Sequence, residues 1–184
     1  MKYYPITVGN VKRNLPICPL NDSLQIAGFV IVGDPELSEG CAKELSKKVP
    51  EYDYILTAEA KGIPLAHDMT RIAGKTKYIC ARKKPKLYMS GVFEVTVQSI
   101  TTEGEQKLYL DTAEAELIKG KRLLIVDDVI STGKSLEALV HLANEAGADI
   151  VGMAAILAEG DAADRDDIIF LEKLPLFDSE GNPL

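Results

Sequence analysis

Leu123 to Leu136 reads LLIVDDVISTGKSL, and this stretch decides how the chain folds. Behind Lys121 and Arg122, the residues up to Val126 are wholly apolar, as in a strand buried on both faces. Asp127 and Asp128 stand at the end of that strand, and a turn containing Ser131, Thr132 and Gly133 leads into a helix expected over Leu136 to Ala146, stopped by Gly147. Strand, short turn and helix in that order are half of a parallel crossover unit. The turn can aim successive backbone N–H groups and hydroxyls at one point, where the helix dipole also favours an anion. Two carboxylates would repel a bare phosphate. They fit a sugar that carries one, by accepting hydrogen bonds from its hydroxyls, or a nearby magnesium ion.

Outward from this stretch the same alternation recurs. Upstream, the sequence predicts strands at Gly28 to Val32, Asp53 to Thr57 and Lys77 to Ala81, separated by a helix with Leu37, Cys41 and Leu45 on one face and a helix over Ile63 to Ile72. Downstream, Ile150 to Leu157 reads as another buried strand, and Asp178 to Leu184 as a polar, frayed tail. Phe93 to Thr101 and Gln106 to Leu110 read as the arms of a hairpin around Thr102, Glu103 and Gly104. The predicted class is α/β, with a mainly parallel sheet covered by helices on both faces, and ligands gathered where strands end and helices begin.

At 184 residues the chain suits one domain, 1–184. Its 46% apolar and 27% charged residues are ordinary for a soluble globular protein. A net charge of -7 argues against a nucleic-acid surface, which needs an excess of Lys and Arg, so any anion must be held locally. No stretch approaches the ~20 apolar residues of a membrane span, and MKYYPITVGNVKRN has no signal-peptide character. Cys18, Cys41 and Cys80 are odd in number and widely spaced, which predicts free thiols in a reducing cytoplasm and no disulfide framework or cysteine metal site.

The segment at 123–136 resembles the phosphoribosyl-pyrophosphate motif of type I phosphoribosyltransferases. The resemblance implies that Asp127 and Asp128 contact the ribose hydroxyls, with magnesium bound indirectly through substrate and water. It also implies that the loop of Val129, Ile130, Ser131, Thr132, Gly133, Lys134 and Ser135 wraps the 5-phosphate. Where the family often has Thr after Gly, this chain has Lys134, which either adds charge at the phosphate or points to solvent. TGKS ends like a nucleotide P-loop, but that motif needs glycine at position 128, which is Asp. A plain strand-to-helix turn whose carboxylates cap the helix is the bland alternative.

Two further segments extend the resemblance. In LTAEAKGIP, Leu56 to Pro64, the order of Glu59, Ala60, Lys61 and Gly62 is similar to the pyrophosphate loop of the purine enzymes; by itself it reads as a helix cap with a solvated lysine. In ARKKPKLY, Ala81 to Tyr88, the cations Arg82, Lys83 and Lys86 resemble the basic segment of adenine phosphoribosyltransferases that reaches pyrophosphate, often across a dimer interface. The hairpin then corresponds to a mobile lid over 86–110, and residues 1–27 to an N-terminal hood; hood and lid usually choose the base. Gln98 falls where adenine enzymes carry a glutamate near the purine, and glutamine is a poor general acid. QSITT, from Gln98 to Thr102, also resembles the lid of bacterial xanthine phosphoribosyltransferases.

These likenesses imply a homodimeric enzyme that moves ribose 5-phosphate from phosphoribosyl pyrophosphate to a purine. Adenine is expected ahead of xanthine, hypoxanthine or guanine, and Asp127, Asp128, Lys86 and Gln98 are expected to be catalytic. A non-catalytic sensor of phosphoribosyl pyrophosphate is the rival class; relatives of that kind carry an added DNA-binding domain, for which the first ~30 residues are too few. His67 and His141 read as surface or packing residues. Tyr88 and Phe93 stack on a base or lie in a core.

Overall fold

The computed structural model describes residues 2–98 and 105–184, and its chain order opens on an antiparallel element. β1 (Tyr3–Val8), β2 (Val11–Pro19) and β3 (Leu24–Ala27) precede α1 (Pro35–Leu45), β4 (Tyr54–Ala58), α2 (Ile63–Ile72) and β5 (Ile79–Ala81). The hairpin of β6 (Val92–Gln98) and β7 (Glu105–Asp111) follows, then α3 (Thr112–Ile118), β8 (Arg122–Ile130), α4 (Lys134–Glu145) and β9 (Asp149–Glu159). A 3-10 turn at Gly160–Asp164, β10 (Ile169–Leu174) and β11 (Phe177–Asp178) complete the order. The expected hairpin turn at Thr102, Glu103 and Gly104, and the side chain of Gln98, lie outside the described residues.

The central sheet is parallel throughout, in the order β10-β9-β8-β4-β5, with β8 in the middle. Alternate side chains of β8 serve opposite cores, as the pleat requires. Leu124 and Val126 pack with α1, α2 and the hood, while Leu123 and Ile125 pack with α3, α4 and the hairpin. Burying each such side chain contributes roughly 2 kcal/mol. The apolar run at 123–126 therefore has its expected cause, two covered faces.

Helix starts follow local chemistry. Asp34 caps α1 by accepting from the Leu37 N–H at 3.1 Å, with Pro35 beginning the first turn. The same carboxylate receives Arg13 of β2 at 2.7 Å, and Glu36 receives it at 2.8 Å, so one arginine ties the hood to the start of α1.

The structure differs from the sequence reading in three places. Gly28 to Val32 is not a strand: the last ladder bond runs from Gly28 N–H to Pro16 O, and beyond it Phe29 and Ile31 are buried in alternation while the Ile31 carbonyl accepts from the Asp34 N–H in a turn. β8 does not stop at Val126, because β9 offers partners as far as Ala158, opposite Ile130. The residues from Asp178 onward are not frayed. β11 pairs with β3, Asp178 accepts from the Glu180 and Asn182 N–H groups, and the Leu184 N–H bonds Leu176 O. That pairing completes a hood sheet in the order β1-β2-β3-β11. No helix among the described residues is long and apolar enough to cross a membrane.

Candidate active site

Because β4 and β8 are neighbours, with Leu56 opposite Ile125, the turns that leave their carboxyl ends lie side by side. Between them opens a cleft of about 620 Å³, whose walls include Glu59, Ala60, Lys61, Lys83, Asp127, Asp128, Val129 and Ser135. A smaller hollow of about 100 Å³ adjoins it, walled by Asp127 and the whole run from Val129 to Leu136.

At the centre, Lys61 Nζ stands 3.0 Å from Asp128 Oδ2 and crosses from one loop to the other. Asp128 is 5% exposed at its side chain and Lys61 55%, so the pair has one foot in the core and one in the cleft. Asp127 Oδ1 accepts from the Asp128 N–H at 2.8 Å. Burial, and after it the neighbouring Asp128 charge, push the Asp127 carboxyl up to about 7. The two loops meet this closely because position 62 is glycine: a Cβ there would lie 2.1 Å from Thr57 Oγ1 and 3.2 Å from Asp127 Oδ1.

Gly133 makes the second turn possible. At φ +80° and ψ -4° it occupies the left-handed region and begins α4 without a side-chain cap, and the first turn of that helix lines the hollow. Ser131, Thr132 and Lys134 share its walls.

The basic segment is anchored twice. Arg82 exchanges two backbone hydrogen bonds with Tyr109 of β7, at 2.8 and 2.9 Å. Glu59 gathers the rest: its carboxylate accepts the Lys83 N–H at 2.8 Å and lies 3.4 Å from Arg82 Nη1 and 3.7 Å from Lys86 Nζ. Burial alone would raise the Glu59 carboxyl, yet these partners hold it below the usual range. Sequence reasoning gave Glu59 a capping role; its spacing to the cations across two strands has no local signal.

Of the residues singled out from the sequence, the structure brings together Ala60, Lys61, Gly62, Arg82, Lys83, Lys86, Asp127, Asp128 and Val129 through Ser135. Lys107, Leu108 and Ala138 also line the cleft and were not expected there. Lys107 pairs with Glu94 at 2.9 Å. Phe93 packs against the core, Tyr88 is exposed, and His67 meets Tyr78 edge-on at 6.3 Å.

No group of three or more potential metal ligands occurs among the described residues. Asp128 Oδ2 is taken up by Lys61, so two adjacent carboxylates at the cleft suit a magnesium ion held indirectly, with substrate oxygens and water as its ligands.

A parallel sheet whose neighbouring strands β4 and β8 end in an acid pair, a lysine bridge and a small hollow defines an α/β protein with a polar cleft at the carboxyl ends of its strands. Residues 35–179 match the family model described as phosphoribosyl transferase domain, and the chain belongs to that family. The hypoxanthine/guanine phosphoribosyltransferase of Methanococcus voltae is 39% identical over 115 residues, which cover 61% of this chain and 56% of that enzyme. The xanthine phosphoribosyltransferase of Lactobacillus helveticus is 30% identical over 128 residues, 68% of this chain and 66% of that enzyme. Among solved structures, the adenine phosphoribosyltransferase of Thermoanaerobacter pseudethanolicus superposes with a TM-score of 0.70 at 20% identity, covering 86% of this chain and 95% of that one. The chain thus shares the type I fold of that structure.

Proposed function

We propose that this protein transfers ribose 5-phosphate from phosphoribosyl pyrophosphate to a 6-oxopurine. The observation that carries the reading is the Lys61–Asp128 bridge at 3.0 Å, which joins a basic loop to the acid pair and the phosphate hollow within one cleft. In this reading the loop from Val129 to Ser135 holds the 5-phosphate, Asp127 and Asp128 orient the ribose hydroxyls, and Ala60, Lys61 and Gly62 face the pyrophosphate. Asp127 and Asp128 would hold magnesium through substrate and water, and the ion would supply positive charge at the leaving group.

The C1′–oxygen bond breaks with its electron pair on pyrophosphate, where Lys61, Arg82, Lys83 and Lys86 neutralise it. The anomeric carbon, oxocarbenium-like at that moment, accepts a ring nitrogen of the base, which gives up its proton. The hairpin excludes water that would otherwise take the sugar.

Adenine, ahead in the sequence reading, gives way here. Relatives at 30–39% identity carry oxopurine names, whereas the adenine likeness lies at an identity that speaks for the fold alone. Glutamine at 98 points the same way, since it lacks the acid expected beside adenine. We further propose a homodimer in the cytoplasm. Leu87 and Tyr88 are exposed beside the basic segment, which suits a subunit contact, and all three cysteines are free.

The test is to incubate the protein with phosphoribosyl pyrophosphate and magnesium, offer xanthine, hypoxanthine, guanine and adenine separately, and follow nucleotide formation. At least one oxopurine should turn over about tenfold faster than adenine, the discrimination one well-placed polar contact supplies. Faster turnover of adenine would restore the earlier order. Sugar-phosphate binding without turnover of any base would favour a sensor.

A further inference from the structure

Arg165 follows the 3-10 turn after β9, far in sequence from the phosphate loop, yet its guanidinium packs against that loop. A Cβ on Gly133 would lie 2.8 Å from Arg165 Nη1. The other edge of the guanidinium is fixed, with Nε 2.8 Å and Nη2 2.7 Å from the two oxygens of Asp167. The fork therefore aims Nη1 at the one residue of the loop that has no side chain to keep it away. Arg165 is not in the wall of the phosphate hollow. It lines a separate cleft of about 400 Å³ along α4, together with Leu136, Glu137, Val140 and Asp167.

Its sign is informative. The start of α4 is the positive end of a helix, where a cation is unfavourable unless an anion is also present. Asp167 offsets part of that cost, and so does Glu137 in the first turn. A phosphate in the hollow would supply the rest.

We propose that Arg165, oriented by Asp167, is a positioning residue for the 5-phosphate: it braces Gly133 from behind, so that the loop keeps its receiving form, and adds positive potential at the start of α4. The inference rests on the sugar-phosphate reading above and adds a residue outside the loop to it. Because pyrophosphate is assigned to the Lys61 side of the cleft, loss of Arg165 should affect the two phosphate groups of the substrate unequally.

Calorimetric titration of ribose 5-phosphate and of pyrophosphate with magnesium, on wild type, Arg165→Ala, Arg165→Lys and Asp167→Asn, separates the outcomes. Arg165→Ala should weaken ribose 5-phosphate about tenfold and raise the KM for phosphoribosyl pyrophosphate similarly, with kcat within about twofold and pyrophosphate affinity unchanged. Arg165→Lys should recover part of the loss, because charge returns without the fork. Asp167→Asn should lose about threefold, and it carries the test if Arg165→Ala does not fold. Equal weakening of both ligands, or unchanged ribose 5-phosphate affinity in the variants, overturns the role of Arg165 and leaves the function standing. Wild type that binds neither ribose 5-phosphate nor phosphoribosyl pyrophosphate overturns both.

Discussion

Asp127 carries the clearest consequence at the level of a single residue. Its carboxyl is raised from 3.8 to about 7, so the folded state favours its protonated form. That contribution to stability is complete below pH 3.8 and is lost as the pH climbs through about 7. Asp127→Asn imitates the protonated form without the titration. Urea unfolding should find the variant more stable than wild type at pH 8, on the order of 2–4 kcal/mol, with the difference vanishing near pH 4. Parallel stability curves for the two proteins would show that Asp127 titrates normally. The same variant should bind ribose 5-phosphate poorly, since an amide cannot serve two sugar hydroxyls as a carboxylate does. Part of this residue's character was legible: LLIVDDV announces an acid pair after an apolar strand. The raised carboxyl was not, because it depends on β4 and α2 closing over the pair from elsewhere in the chain.

Among elements, the segment between β5 and β6 shows how position and charge are set together. Glu59 holds Arg82 and Lys86, and in the proposed function pyrophosphate would compete with it for the same cations. Glu59→Gln keeps an acceptor for the Lys83 N–H and removes the competing charge. Pyrophosphate should then bind about three- to fivefold more tightly by calorimetry, a modest gain because these partly exposed pairs are worth at most about 1 kcal/mol. Weaker binding would mean that Glu59 chiefly shapes the segment. The parallel core could be read from the sequence because period and composition coincide there, as at Leu37, Cys41 and Leu45 on α1 or in the apolar run of β9. The hood was harder. Gly9 and Asn10 form a two-residue hairpin turn with φ of 59° and 62°, and Ile6, Val8, Leu15 and Ile17 alternate inward around it. Yet Pro5, Pro16 and Pro19 interrupt the pattern; Pro5 is tolerated because β1 is an edge strand, and Pro19 because β2 ends there. The family resemblance lodges base choice in the lid and in this least legible part, which is why the sequence pointed to the sugar phosphate more readily than to the purine.

For the molecule as a whole, the question is which subunit each cation serves. Family resemblance suggested that Arg82 reaches a neighbour's pyrophosphate, but here it lies beside Glu59 of its own chain, in the loop that walls its own cleft. Mixing inactive Arg82→Ala with inactive Asp127→Asn should therefore restore no activity, with mixed dimers verified by mass. Recovery to about half the wild-type rate would assign Arg82 to the partner. The hood adds a consequence of another kind. β3 pairs with β11, and Phe177 rests against Tyr4 with ring centroids 5.3 Å apart, so the sheet joins the two extremes of the described chain. A ribosome delivers the acid pair and its phosphate loop as one contiguous stretch, with α4 and the flanking strand β9 next in order. The outer edge of β3 waits for Phe177, with its backbone groups unpaired and Tyr4 uncovered. A message cut short before that codon would yield a protein with its anion cradle intact and a bare strand edge, the form most prone to join its own kind.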